Sequence, residues 1–421
     1  MNPTNDPALK SFLDVPQDSH FPIQNLPYGI FSRRGSTEQH IGVAIGDSIL
    51  DLRVLFEEGL LQHPCLCENS LNPLLSQGKN VWTQIRTTTS QLLRAETATL
   101  KDNASVREKA LVPMTDTVMH LPVEIGDYTD FYSSKEHATN VGTMLRGPDN
   151  ALMPNWVHLP VAYHGRASSV IPSGTPIYRP KGQKLPPTAE VPVFGPSRNL
   201  DFELEMGFFV GPGNVLSEPI AIGDAMNHIF GMVLVNDWSA RDIQKWEYQP
   251  LGPFLAKSFA TSVSPWVVPM EALEPFRVAG PKQAPQPLEY LRSSKDYSYD
   301  IHLEVWLKGE KMDAAERICL SNYKYLYWNC CQQLAHHTTN GCNLRPGDLL
   351  ATGTISGPDS SSFGSMLELA WRGTKPIEFA NGETRSFLED NDTITMTGWC
   401  QGGGYRVGFG EVKSTILPSK V

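Results

Sequence analysis

The spacing of apolar positions changes character about a quarter of the way along the chain. In "HIGVAIGDSILDL", residues 40 to 52, two short apolar runs flank Gly46 and Asp47, the turn chemistry of a β-hairpin. Leu52, Leu55, Phe56 and Leu60, then Val81, Trp82, Ile85, Leu92 and Leu93, recur near a period of 3.6 and predict helices. "KDNASVREKALVP" reads as a polar break before a new strand. From about Leu121 onward Gly and Pro become frequent, helical patterns shorten, and short strands such as "DTITMTGW" and "YRVGFGEV" run to the end. The change predicts two domains, 1–122 and 123–421. The glycines of "QGGGYRVGFG" miss the dinucleotide-binding spacing and read as a bulged strand or hairpin.

Within the strand-rich part, the polar positions carry the chemistry. "NLDFELEMGFFVG", residues 199 to 211, alternates Asp201, Glu203 and Glu205 with Phe202, Leu204 and Met206, so a strand would send three carboxylates to one face. On a wet edge strand water would suffice. The run continues into Gly207, Phe208, Phe209 and Val210, which places it in a sheet core, and buried carboxylates need a cation, for which a hard divalent metal is the cheapest choice. In "GMVLVNDWSARDIQKWEY" an apolar strand precedes Asp237, Arg241, Gln244 and Tyr248, spaced as one polar helix face. That stripe is either a solvated surface or the wall of a functional cavity. "DYTDFYSSKEHATNVG" holds Asp130 and His137 seven apart, which share a face if the segment is helical and would put a metal ligand near a general base. Lys257 lies in an apolar context in "FLAKSFATSVSPW" and needs an anionic partner.

Bulk properties narrow the field. A chain of 421 residues favours two domains, and a net charge of −10 without a long basic block argues against nucleic acid or an anionic membrane as partner. The seven cysteines contain no C-x-x-C pair and read as reduced thiols, with "CCQQLAHH" as ordinary helix residues and not a zinc site. The first thirty residues lack the apolar run of a signal peptide and no segment has the length to span a bilayer, so a cytosolic protein is expected. A serine hydrolase would need G-x-S-x-G; the chain has none, and "GRASS" fails the pattern.

Five stretches, "DYTDFYSSKEHATNVG", "LPVAYHGRASSV", "DFELEM", "NDWSARDIQKWEYQPLGPFLAKSF" and "LLATGTISGP", occur in the order found in one family. On these the chain resembles the fumarylacetoacetate hydrolase family across essentially its whole length, including the N-terminal extension that shorter relatives lack. The resemblance implies a mainly β fold with some α: an N-terminal SH3-like barrel domain followed by a C-terminal mixed β-roll catalytic domain, assembled as a homodimer. It implies hydrolysis of the C–C bond of 4-fumarylacetoacetate, a small β-diketo dicarboxylate, to fumarate and acetoacetate, the last step of tyrosine and phenylalanine degradation.

Carried over position by position, the calcium ligands fall on Asp130, Glu203, Glu205 and Asp237, while Asp201 shares their face without a family role. The general base falls on His137 and its orienting carboxylate on Glu368. Substrate contacts fall on Tyr132, Arg146, Tyr163 and Thr354, together with Arg241, Gln244 and Tyr248 from the polar stripe. A second ion, magnesium, is associated with Asp237, Lys257 and Thr261. Arg241, Gln244 and Lys257 are expected to stabilise the oxyanion and the leaving carbanion. One departure stands out: Ala256 and Ala260 occupy positions where family members often carry glycine, and a positive φ at either would strain an alanine.

Overall fold

The computed structural model describes residues 2–420. The N-terminal strands form a five-stranded antiparallel sheet in the order Leu111–Pro113, Ser48–Asp51, His40–Ile45, Tyr28–Arg33 and Thr117–Met119. Its hairpin sits on the expected turn: Ile45 pairs with Ser48, which leaves Gly46, at φ +55°, and Asp47 between the arms. Asp51 then accepts from the Arg53 and Val54 N–H groups and so caps the helix Leu52–Glu57. The second periodic run is the helix Lys79–Leu93, which buries Trp82, Ile85, Leu92 and Leu93.

The stretch read as a polar break is instead helical over Ala104–Ala110. Asn103 accepts from the Val106 N–H as its N-cap, and only Val106 and Ala110 are buried. Two apolar anchors in seven residues are too few for the period to stand out against the polar background.

The rest of the chain is mainly β, as expected. An eight-stranded sheet has Tyr128–Phe131, Leu349–Ala351, Leu204–Val210, Ile229–Asp237 and Thr261–Val263 as consecutive neighbours. A five-stranded sheet built on His302–Lys308, Thr393–Gln401 and Arg406–Leu417 packs against it. The glycine-rich stretch joins the last two of these strands, whose pairing carries a bulge between Thr397 and Trp399.

Burial on both faces of the strand Leu204–Val210 explains why the neighbouring carboxylates are not at a wet edge. Leu204, Met206, Phe208 and Val210, with Phe202 ahead of them, join the core between the two sheets. Phe209 points the other way and joins Val233, Val235, Leu349 and Ala351 in a core shared with the N-terminal sheet and helices. The acidic run itself is not one unbroken strand: Asp201 pairs with Ser239, and Glu203 forms only an isolated bridge to Ser365.

Register then gathers the chemistry at one end of the sheet. Asp130 is level with Ala351, Ala351 with Gly207, Glu205 with Val235, and Asp237 with Thr261. The chain leaves the strand Leu349–Ala351 through Gly353, at φ +76°, where a Cβ would lie 2.2 Å from the Phe131 carbonyl oxygen. Gly353→Ala should therefore lower stability by about 1–3 kcal/mol, the usual cost of a left-handed non-glycine residue held in place. Denaturant unfolding measures it; an unshifted midpoint would contradict this account of the turn.

Candidate active site

Oxygen atoms of Asp130, Glu203, Glu205 and Asp237 lie within 4.8 Å of one another, and all four residues are buried. They are the one group of potential metal-ligating side chains among the described residues; Cys330, Cys331, His336 and His337 belong to an ordinary helix, Cys330–Thr338, closed by an Asn329/Gln332 capping box. The Gly353 N–H is 3.1 Å from Asp130 Oδ1 and 3.2 Å from Glu205 Oε2, so two carboxylates share one donor. Glu205 Oε1 is buried with no hydrogen-bond partner at all.

That shortage shows in the ionisation of the group. Burial, reinforced by the Asp237 charge, holds the Asp130 carboxyl well above the usual carboxylate range. Burial and the Asp130 charge do the same to Glu205. Glu203 is the opposite case: burial would raise it, but Lys257 and Arg241 outweigh burial and hold it ionised. Four acidic side chains crowded together with an unpaired buried oxygen form a donor set suited to a hard divalent cation.

Two cations complete the electrostatics. Lys257 Nζ donates to Glu203 Oε2 and, at 2.7 Å, to Asp237 Oδ2. Arg241 donates through Nε to Asp201 Oδ2 at 2.8 Å and places its second amino group 2.7 Å from Glu203 Oε1. Burial opposes both charges, yet the neighbouring carboxylates push Lys257 and Arg241 above their ordinary values. Asp237 also accepts from Thr261 Oγ1 and from Tyr163 OH, each at 2.8 Å. The anionic partner expected for Lys257 is thus a pair. Ala256 and Ala260 are buried and neither adopts a positive φ, so alanine is unstrained at both positions.

Asp201, whose role the acidic run left open, joins two parts of the site. Besides Arg241 it accepts from the Met366 N–H at 2.7 Å and the Leu367 N–H at 3.0 Å, the first turn of the short helix Met366–Leu369. Glu368 lies on that helix. His137 Nδ1 donates to Glu368 Oε2 at 2.6 Å, with both side chains buried. Ser356 and Ser365 hydroxyls donate to the same oxygen at 2.9 Å, and Asn140 Nδ2 donates to Oε1 at 2.9 Å. Burial would raise the Glu368 carboxyl; the His137 ring and these donors lower it instead, so it stays ionised.

Two details of placement differ from the spacing argument. Asp130 and His137 do not share a helix: Asp130 is held in the sheet by Ala351 and Tyr163, and the helix Lys135–Arg146 begins only after Ser134 caps it. Asp237 likewise ends a strand, paired with Thr261, and the helix starts at Arg241. The expected proximity survives because strand and helix meet at the same sheet end. Asn140, Ser356 and Ser365 escaped the sequence reading. Ser365-x-x-Glu368 is a capping-box spacing and Asn140 lies one turn from His137, so two of the three had a signal.

All of this opens on a cleft of about 970 Å³. Asp130, Glu203, Lys257, His137 and Arg241 line it together with Tyr132, Arg146, Tyr163, Gln244, Tyr248 and Thr354. Tyr132 meets the His137 ring edge-on at 5.3 Å. Thr354 Oγ1 is buried without a partner. Arg146 is exposed and donates to the carbonyls of Asn150 and Ala151.

Comparison with known proteins places the chain in a family. Residues 24–122 match the family described as fumarylacetoacetase N-terminal, and residues 127–417 match fumarylacetoacetate (FAA) hydrolase C-terminal. Fumarylacetoacetase of Homo sapiens is 58% identical over 416 residues, covering 97% of this chain and 99% of the relative. That of Dictyostelium discoideum is 54% identical over 420 residues, covering 98% of each. A solved fumarylacetoacetate hydrolase from Exiguobacterium antarcticum shares the fold, with a TM-score of 0.53 at 16% identity over 93% of this chain and 99% of that one. With both halves matched and more than half of all positions shared with full-length relatives, the chain belongs to the fumarylacetoacetate hydrolase family.

Proposed function

We propose that the protein hydrolyses the C–C bond of 4-fumarylacetoacetate to fumarate and acetoacetate, the step that ends tyrosine and phenylalanine degradation. The observation that carries the reading is a buried His137–Glu368 hydrogen bond, with His137 lining the same cleft as a carboxylate cluster that has an unsatisfied oxygen. Relatives at 53–58% identity bearing the name fumarylacetoacetase support the substrate.

Hydrolysis of a β-diketone requires water to add to a carbonyl, after which the adjacent C–C bond breaks and its electron pair leaves on carbon as an enolate. His137 takes the proton from water through Nε2, the nitrogen left free by Glu368, and can return it to the departing carbon. Glu368 stabilises the imidazolium in between. Arg241, Gln244 and Lys257 donate to the charge that develops first on oxygen and then on the enolate. Thr354, Tyr132, Tyr163, Tyr248 and Arg146 bind and orient the substrate. A calcium ion held by Asp130, Glu203, Glu205 and Asp237 would act there as a Lewis acid toward the diketone oxygens. A magnesium ion at Asp237, Lys257 and Thr261 lacks comparable support: an ammonium offers no lone pair, and the side chains of Lys257 and Thr261 already donate to Asp237.

The reading extends to a chain divided near residue 122, to a homodimer, and to residence in the cytosol. Large apolar side chains left exposed at Val191, Phe194 and Phe254 are the kind of surface a second copy would cover. All seven cysteines are free, and no described helix is long and apolar enough to cross a membrane.

Incubation of the purified protein with fumarylacetoacetate should yield fumarate and acetoacetate in equal amounts. Release of carbon dioxide instead would assign a decarboxylase.

The cluster predicts an unusual pH dependence. Because Asp130 and Glu205 have folded-state pKa values raised above their unfolded ones, the chelator-treated fold holds protons that the unfolded chain has already lost. Their contribution is therefore fully present below the ordinary carboxylate range and is lost as pH rises toward the raised values. In EDTA the melting temperature should fall as pH rises above the ordinary carboxylate range, and calcium should abolish that fall and restore activity. A melting temperature indifferent to both pH and calcium would remove the ion from the site.

His137→Ala should cut turnover by roughly 10²-fold to 10⁴-fold, the usual contribution of a positioned base, while metal content stays unchanged. Glu368→Gln should lose less, and the double variant should be hardly worse than His137→Ala alone. Losses that multiply independently would break the dyad assignment.

A further inference from the structure

Seven Arg and Lys side chains line the cleft of a protein whose net charge is −10. Four have duties already described or direct partners. Arg241 and Lys257 bond Asp201 and Asp237, and Arg146 is fixed by backbone carbonyls. Lys184 donates to the Pro196 carbonyl and lies 3.4 Å from Asp242.

Among the described residues, Asp242 is the one carboxylate lining the cleft besides Asp130 and Glu203, and it is consumed locally. Ser197 Oγ donates to it at 2.6 Å and the Arg198 N–H at 2.9 Å, with the Lys184 ammonium beside them. This leaves the side chains of Arg198, Lys245 and Arg372 lining the cleft with no carboxylate at ion-pair distance among the described residues. They come from separate elements. Arg198 belongs to the loop before the acidic run, and Lys245 lies three residues after Asp242 on the helix Arg241–Glu247. Arg372 follows the Glu368 helix, where Trp371 and Arg372 adopt φ of +45° and +59° in succession. One of its amino groups donates to the Met144 carbonyl at 2.9 Å, in the last turn of the His137 helix.

Two adjacent left-handed non-glycine residues are costly, and such strain persists where surrounding contacts hold a side chain in a set place. Here the bond to Met144 holds a guanidinium at the cleft. Three cations facing one cavity repel one another, and an arriving anion turns that repulsion into attraction.

We propose that Arg198, Lys245 and Arg372 form an outer anion-binding lip that takes the substrate carboxylate farther from the reacting carbonyl, so that the cleft selects dicarboxylate over monocarboxylate diketones. The inference rests on the proposed hydrolysis of a β-diketo dicarboxylate and names the residues that decide its specificity.

The test compares two substrates of the metal-loaded enzyme: fumarylacetoacetate, and (E)-4,6-dioxohept-2-enoate, which keeps the diketone and the carboxylate nearer the reacting carbonyl but ends in a methyl group. The ratio of their kcat/KM values should fall by about tenfold or more in R198Q/K245Q at low ionic strength, within the range by which charged clefts raise encounter and capture. R372Q should lower the ratio in the same direction, and R198K/K245R should restore it. Added salt should narrow the gap between the unsubstituted protein and the variants. The loss should appear in KM for the dicarboxylate more than in kcat. Equal losses on both substrates, or an unchanged ratio, would overturn the lip while leaving diketone hydrolysis intact. Failure of the unsubstituted protein to cleave either substrate would overturn both readings.

Discussion

Repulsion among buried carboxylates is the constraint to which the rest of the site answers. Asp130, Glu205 and Asp237 are buried at one end of the eight-stranded sheet with Asp201 and Glu203 beside them, and Arg241 and Lys257 are the two cations bonded to this group. Glu203 is held ionised by Lys257 and Arg241, Asp201 is covered by donors from Arg241 and the Met366 and Leu367 N–H groups, and Asp237 by donors from Tyr163, Lys257 and Thr261. Asp130 and Glu205 are left sharing a single Gly353 N–H. Among the described residues no side-chain cation is bonded to these last two, and that asymmetry makes the cluster a place that could hold a metal ion. A low-dielectric interior makes the mismatch expensive, so it persists only where chemistry requires it.

The sheet is what makes such crowding possible. Asp130, Glu205, Asp237 and Thr261 come from four separate strands, and pairing fixes their relative heights more rigidly than loops could. Phe202, Leu204 and Met206, turned to the opposite face, anchor the acidic run in the core between the sheets. Asp201 extends this order outward. By bonding Arg241 on one side and the first turn of the Glu368 helix on the other, it ties the charge-stabilising arginine to the partner of the proposed base. The two halves of the proposed chemistry, proton transfer and charge stabilisation, are thereby placed by one carboxylate.

Much of this was legible in the sequence because it rests on local period. Alternation over residues 201 to 206 showed which side chains share a face, and the Gly46–Asp47 turn located the hairpin. The helix Ala104–Ala110 was hidden because two small apolar contacts suffice to dock it. Where strand meets helix, spacing misleads: Asp130 and His137 are seven apart, and so is the helical repeat, yet the chain changes conformation between them. The function of Asp201 was out of reach for a different reason. Its partners at residues 241 and 366–367 are fixed by tertiary contact alone, as are the Ser356 and Asn140 bonds to Glu368.

The central claim is that a divalent cation replaces protons on the carboxylate cluster. Calorimetric titration of calcium into chelator-stripped protein, repeated in buffers of different ionisation enthalpy, measures binding and proton release together. The account predicts saturable binding of roughly one ion per chain with net release of protons near neutral pH, since a ligating carboxylate must be deprotonated. It also predicts that the release shrinks in Glu205→Gln. Absence of saturable binding, or binding that releases no proton at neutral pH, would contradict it.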